Sequence, residues 1–197
     1  IVKLRKATGA GMMDCKNALT ESEGDFDRAI EIIRERGKLV ASKRADRDAT
    51  EGVVLAGVSE NKKFGAIVVL NCETDFVAKN EKFIAFTAQI LDAAISHQPA
   101  TLEELKSIVI DGRSIGDQVT EQIGIIGEKL DLSYYSKVDA ETVVPYVHPG
   151  NKLATIVGFN KAGVEHHVGK DVAMQVAAMS PVAVSRESIP QQVIDKI

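Results

Sequence analysis

The chain has 197 residues, enough for one large domain or two small ones, with 45% hydrophobic and 26% charged residues. Its formal net charge of −4 argues against a general nucleic-acid binder, which carries a basic excess. No apolar run approaches the roughly 18 residues that would span a membrane. The opening Ile1–Lys6 is too short and too charged for a secretory leader, and no initiator Met stands there, so a fragment of a longer chain is expected. Cys15 and Cys72 lie among apolar neighbours without CxxC spacing, which reads as reduced, intracellular thiols.

Residues 1–37 read as three short helices. Val2, Leu4 and Ala7 mark the first, which stops at the glycine-rich Thr8-Gly9-Ala10-Gly11 loop. Met12, Cys15 and Leu19 mark the second. Asp25 is placed to cap a third, whose Phe26, Ala29, Ile30 and Ile33 form an apolar stripe, with Gly37 as its stop. Residues 38–50 then read as an exposed basic linker carrying Lys38, Lys43, Arg44 and Arg47.

From Glu51 the period changes. Val53–Ala56 and the β-branched Ala66–Leu70 run read as a hairpin turning at Ser59–Lys62. A helix follows through Phe83, Phe86, Ile90 and Leu91, broken at Gln98-Pro99, and then a connecting segment. Ile115, Val119 and Ile123 predict a helix over Ser114–Gly124, and Leu130–Tyr135 alternates like a third strand. Ninety residues after Glu51-Gly52-Val53-Val54 comes Glu141-Thr142-Val143-Val144, and Asn151-Lys152 answers Asn61-Lys62 at the same shift. The order of elements recurs with it, predicting two duplicated α+β subdomains with small antiparallel sheets, over 51–140 and 141–197. The second copy has no counterpart to Leu130–Tyr135, so it is expected to be incomplete.

Little in the sequence looks like chemistry. Gly9-Ala10-Gly11 follows a helix and lacks the context of a phosphate loop. Glu165-His166-His167, with His148, is better read as a polar loop than a metal site. No acid–base pair or nucleophile triad appears, and no cofactor is implied. Thr74-Asp75-Phe76-Val77 is the most informative segment. Thr74 can cap a short turn with Asp75 in its first turn. Phe76 lies outside the helical stripe beginning at Phe83. It either folds back onto its own core or is offered to a partner, and residue physics alone favours self-packing.

Two segments resemble those of the elongation factor Ts family: Thr8-Gly9-Ala10-Gly11-Met12-Met13-Asp14-Cys15-Lys16-Asn17-Ala18-Leu19 and Asn71-Cys72-Glu73-Thr74-Asp75-Phe76-Val77-Ala78-Lys79. The resemblance covers essentially the whole chain. It implies an α+β protein with an N-terminal bundle similar to ubiquitin-associated (UBA-like) domains, located in the bacterial cytoplasm, with an organelle left open. It implies a guanine-nucleotide exchange factor whose partner is the GTPase EF-Tu, performing no covalent chemistry and binding neither nucleic acid nor membrane. In the family, Thr74, Asp75, Phe76 and Val77 would enter the nucleotide domain of EF-Tu and displace its Mg2+. Met12, Met13, Lys16, Ile123, Gly124 and His148 match further contact positions, and a homodimer of a longer protein stays open. This sequence ends where a coiled-coil arm would begin in many members, and Pro149 after His148 departs from the family pattern. The rival readings are a UBA-like adaptor without exchange activity and a thiol enzyme using Cys72.

Overall fold

A computed structural model describes residues 1–196. Three helices open it: α1 (Val2–Thr8), α2 (Met12–Glu21) and α3 (Phe26–Lys43). Gly9 ends α1 at φ 73°, a left-handed conformation that suits glycine. Asp25 caps α3 by accepting from the Arg28 N–H at 3.0 Å, as its position predicts. Leu4, Ala10, Cys15, Ala18, Ala29 and Ile32 close a small core of their own, flanked by Leu19, Phe26, Ile30 and Ile33.

The expected stop at Gly37 is not there. Helix α3 runs through it for 18 residues, to Lys43. At 1.5 Å per residue this helix is about 27 Å long, and its two ends serve different cores. Ala29 and Ile32 belong to the N-terminal bundle, whereas Val40 and Ala41 pack against the larger core. The stretch expected to be an exposed linker from residue 38 is therefore helical as far as Lys43.

Strands β1 (Glu51–Val58), β2 (Phe64–Cys72) and β5 (Leu130–Asp139) form an antiparallel sheet in the order β1-β2-β5. Between β2 and β5 come α4 (Asp75–Ala78), α5 (Glu81–His97), α6 (Leu102–Ser107), a two-residue ribbon of β3 (Val109–Ile110) and β4 (Arg113–Ser114), and α7 (Ile115–Ile126). Phe64, Ala66, Val68 and Leu70 of the sheet meet Phe83, Ile90, Leu105, Ile115 and Ile123 of the helices. The alternation of β5 holds through Ser133 but breaks at the exposed Tyr134, because the register with β2 shifts between Val69 and Leu70 and leaves Ser133 without a partner. Helix α6 falls in the segment read only as a connection. Its signal was Thr101 followed by Glu104: the Thr101 side chain accepts from the Glu104 N–H at 3.2 Å.

A second hairpin, β6 (Thr142–Val147) and β7 (Ala154–Phe159), forms a separate two-stranded sheet, followed by α8 (His166–Met179) and the short α9 (Gln191–Ile194). Among the described residues, 141–196 supply these two strands and no third. His166 and His167, expected in a loop, begin α8 instead, with Glu165 at its N-cap position. The hairpin is tied to the first sheet by Val54 N–H donating to the Asn151 carbonyl at 2.9 Å and Val143 N–H donating to Lys62 at 2.7 Å.

Helices α3 and α7 meet where Gly37 faces Gly124. A Cβ added to Gly124 would fall inside the Gly37 backbone, whereas one added to Gly37 would sit 3.7 Å from the Gly124 Cα, an ordinary contact. Beside them Arg34 of α3 pairs with Glu121 of α7 at 3.2 Å, and Arg113 holds the other oxygen of the same carboxylate. The two glycines should respond unequally. Gly124→Ala should destabilise the protein by about 1–3 kcal/mol, because backbone must move. Gly37→Ala should be neutral or stabilising by about 0.5–1 kcal/mol, because alanine favours a helix interior. Chemical denaturation of the two variants checks this, and equal losses would contradict the packing described.

Candidate functional site

Strand β2 ends at Cys72, and only Glu73 separates it from Thr74. Thr74 is extended (φ −122°, ψ 153°), and its Oγ1 accepts from the Val77 N–H at 3.4 Å, capping α4. Asn80 then caps α5 by accepting from the Lys82 N–H at 2.9 Å. Strand, single helical turn and long helix thus follow with no slack. A single turn splits four side chains between two faces. Ala78 is buried and Val77 packs against the core, so Phe76 points away and is 83% exposed. The self-packing reading of Phe76 is therefore overturned: the aromatic stands in solvent.

Asp75 bonds Lys79 at 2.6 Å, one turn on, and the Lys79 ammonium lowers its pKa. Lys152, from the turn of the second hairpin, also acts on Asp75 and pairs with Glu51 at the start of β1. The two turns therefore share one end of the molecule. His148 lies in that second turn, exposed, with its Nδ1 2.8 Å from the Tyr146 hydroxyl. The turn closes through Asn151 N–H donating to the His148 carbonyl at 3.0 Å.

Two carboxylates that the sequence reading did not single out support the Thr74–Val77 turn. Glu128, just past α7, accepts from the Glu73 N–H at 3.1 Å, the Thr74 N–H at 3.0 Å and the Thr74 hydroxyl at 2.6 Å. Glu73 reciprocates by accepting from the Lys129 N–H at 2.6 Å. It also accepts from Arg44 at 2.8 Å and Arg47 at 3.1 Å. The basic stretch after α3 is thus partly an ion-pair partner of the turn's base, not the solvated connector its composition suggested. No local pattern marks Glu128, and no spacing rule joins residues so far apart.

The remaining expected contact residues are arranged less tightly. Met12 and Met13 are 58% and 62% exposed on α2, and Lys16 is exposed beside them. Helix α2 packs on α1 and α3. Ile123 is only 8% exposed and belongs to the main core, while Gly124 lies against Gly37. Ile123 is thus largely enclosed in its own core, while Gly124 is half-buried at the crossing with α3. Cys72 lies in the main core. Burial foremost, then the Glu128 charge, pushes its thiol up to about 11, and its Sγ donates to the Thr74 carbonyl at 3.2 Å. A thiol so placed stays protonated at neutral pH and is a poor nucleophile.

The site thus presents Phe76, Met12 and Met13 as exposed apolar side chains, with the Phe76 turn braced by Glu128 and Glu73. A sequence model of the elongation factor TS family matches residues 73–197. The elongation factor Ts of Porphyromonas gingivalis is 53% identical over 197 residues, covering 100% of this chain and 71% of that relative. Those of Bacteroides fragilis and Christiangramia forsetii are 51% and 48% identical, covering 100% and 98% of this chain and 59% and 70% of the relatives. The chain belongs to the elongation factor Ts family, and is accordingly a translation elongation factor. No helix among the described residues is long and apolar enough to cross a membrane.

The environment of Glu73 sets a pH dependence. The Lys129 N–H foremost, then Arg44 and Arg47, holds its carboxyl down to about 2 against the opposing effect of burial. In an unfolded chain a glutamate titrates near 4.3. Its contribution to stability is therefore complete above about pH 4.5 and is lost as pH falls from there towards 2. Denaturation curves of the wild type and Glu73→Gln should differ most at neutral pH and converge across that window. A difference that stays constant from pH 7 to 2 would show that Glu73 is not held in this way.

Proposed function

We propose that this chain is a guanine-nucleotide exchange factor for EF-Tu that acts in the bacterial cytoplasm by binding and performs no covalent chemistry. The observation that carries the reading is Phe76, a large aromatic held 83% exposed on a turn whose base is fixed by two carboxylates. Exposing an aromatic while bracing its backbone makes physical sense when a partner supplies the missing contacts. In this reading Phe76 enters the nucleotide domain of EF-Tu, with Asp75 at the mouth of the contact and Thr74 and Val77 holding the turn. Bound Mg2+ is the largest local charge in a nucleotide site, so displacing its coordination weakens GDP. Linkage requires the converse, that GDP weakens binding of this chain by the same factor.

The exposed Met12, Met13 and Lys16 of the UBA-like bundle and His148 of the second hairpin provide further contacts, which hold the GTPase in its distorted state. Ile123 and the half-buried Gly124 of α7 mark a further contact position of the first subdomain, beside the crossing with α3. The recurrence of hairpin and helix at a shift of ninety residues supports duplication of the core subdomain. The domain plan follows as residues 1–37, the 38–50 stretch, 51–140 and 141–197, with α3 crossing the first boundary.

Release of a fluorescent GDP analogue from EF-Tu tests the proposal. Phe76→Ala should slow stimulated release at least about tenfold, with stability unchanged within about 0.5 kcal/mol, as for an exposed site. A core phenylalanine would instead cost about 3–5 kcal/mol. Wild-type rates from the Phe76→Ala protein would end the wedge mechanism.

A further inference from the structure

We propose that Glu128 is a positioning residue for exchange: it touches no partner but fixes the Thr74 backbone and hydroxyl, and through them the direction in which Phe76 is presented. This deepens the exchange reading and rests on it. The geometry is unusual in its concentration. One side-chain carboxylate accepts from two consecutive backbone N–H groups and from the hydroxyl that caps the next turn. Its Oε2 serves both amides, and its Oε1 serves Thr74 Oγ1. That hydroxyl donates to Glu128 while accepting from the Val77 N–H, so a chain of bonds runs from Glu128 through Thr74 to the residue next to Phe76. Bonds to an ionised acceptor are about twice as strong as neutral ones. Without them the two amides at the strand's end would point at nothing in a partly buried position.

A glutamine replaces this carboxylate only in part. Its single oxygen could take the amides, but its NH2 could only donate to the Thr74 oxygen, so the hydroxyl hydrogen that now goes to Glu128 would lose its acceptor. Glu128 also reaches the turn from outside the element that carries it. It sits between α7 and β5, just past the end of the helix that lies against α3 at Gly37 and Gly124. Glu73 answers by accepting from the backbone of Lys129, so the two segments hold each other reciprocally. The turn is thereby oriented relative to the main core and the N-terminal helices together.

The test measures stimulated GDP release from EF-Tu across a titration of the factor, to separate the maximal rate from the half-saturating concentration. Glu128→Ala should lower the maximal rate about tenfold, with half-saturation moved less than about threefold, since the contact surfaces are intact. Glu128→Gln should be intermediate. Because Glu128 acts through Phe76, adding Glu128→Ala to Phe76→Ala should slow release by less than about twofold further. Thr74→Val, which removes the hydroxyl, should reproduce the maximal-rate loss with half-saturation equally little moved. This variant decides the matter if the Glu128 variants do not fold. A normal maximal rate in both Glu128→Ala and Thr74→Val, alongside a slow Phe76→Ala, would overturn the positioning role and leave the exchange reading standing. Fully multiplicative losses in the double variant would overturn it too. A normal rate in Phe76→Ala would overturn both.

Discussion

The near-contact of two helix backbones at Gly37 and Gly124 is the constraint on which the rest of the structure depends. Without side chains between them, α3 lies directly on α7, and the Arg34–Glu121 pair settles beside the crossing. The far end of α3 then places Arg44 over Glu73, and the far end of α7 places Glu128 under Thr74. One steric fact about two glycines therefore brings together three segments that are remote in sequence. Both helices deliver charge to the same short stretch after β2.

That stretch is unusual in how its polar groups are shared. A strand end leaves backbone donors without ladder partners, and burying them unpaired is unfavourable. Here side-chain carboxylates from neighbouring segments take the place of a further strand. The result is a backbone turn fixed by charge-assisted bonds at its base and by Val77 and Ala78 against the core, with its largest apolar side chain left over. Ordinary folds would bury that phenylalanine; this one spends polar interactions to keep it out.

Much of this architecture was legible in the sequence, for identifiable reasons. Asp25 and Thr74 act as caps where their side chains and positions say they should, because capping is decided within four residues. The hairpins followed from β-branched runs, and β5 from its leucine alternation. What escaped was decided by partners distant in the chain. Gly37 looks locally like a helix end and becomes an interior residue only because Gly124 requires it. Arg44 and Arg47 look like a solvated run and become partners only because Glu73 arrives beneath them. Phe76 showed the limit most clearly: amphipathic arguments place an aromatic inside, and only the family resemblance pointed outwards. Glu128 was invisible, since a lone glutamate after a glycine carries no pattern.

The two cysteines acquire a use that has nothing to do with catalysis. Both are buried and unpaired, Cys15 in the core of the N-terminal bundle and Cys72 beneath the Thr74 turn. A thiol in such a place meets a soluble alkylating reagent only when the structure above it opens. Nature has thus installed two reporters, one in each hydrophobic core, in a chain with no other sulfhydryl to confuse them. Their separate labelling rates translate directly into the opening free energies of the bundle and of the turn, so the breathing of each can be followed without adding a probe.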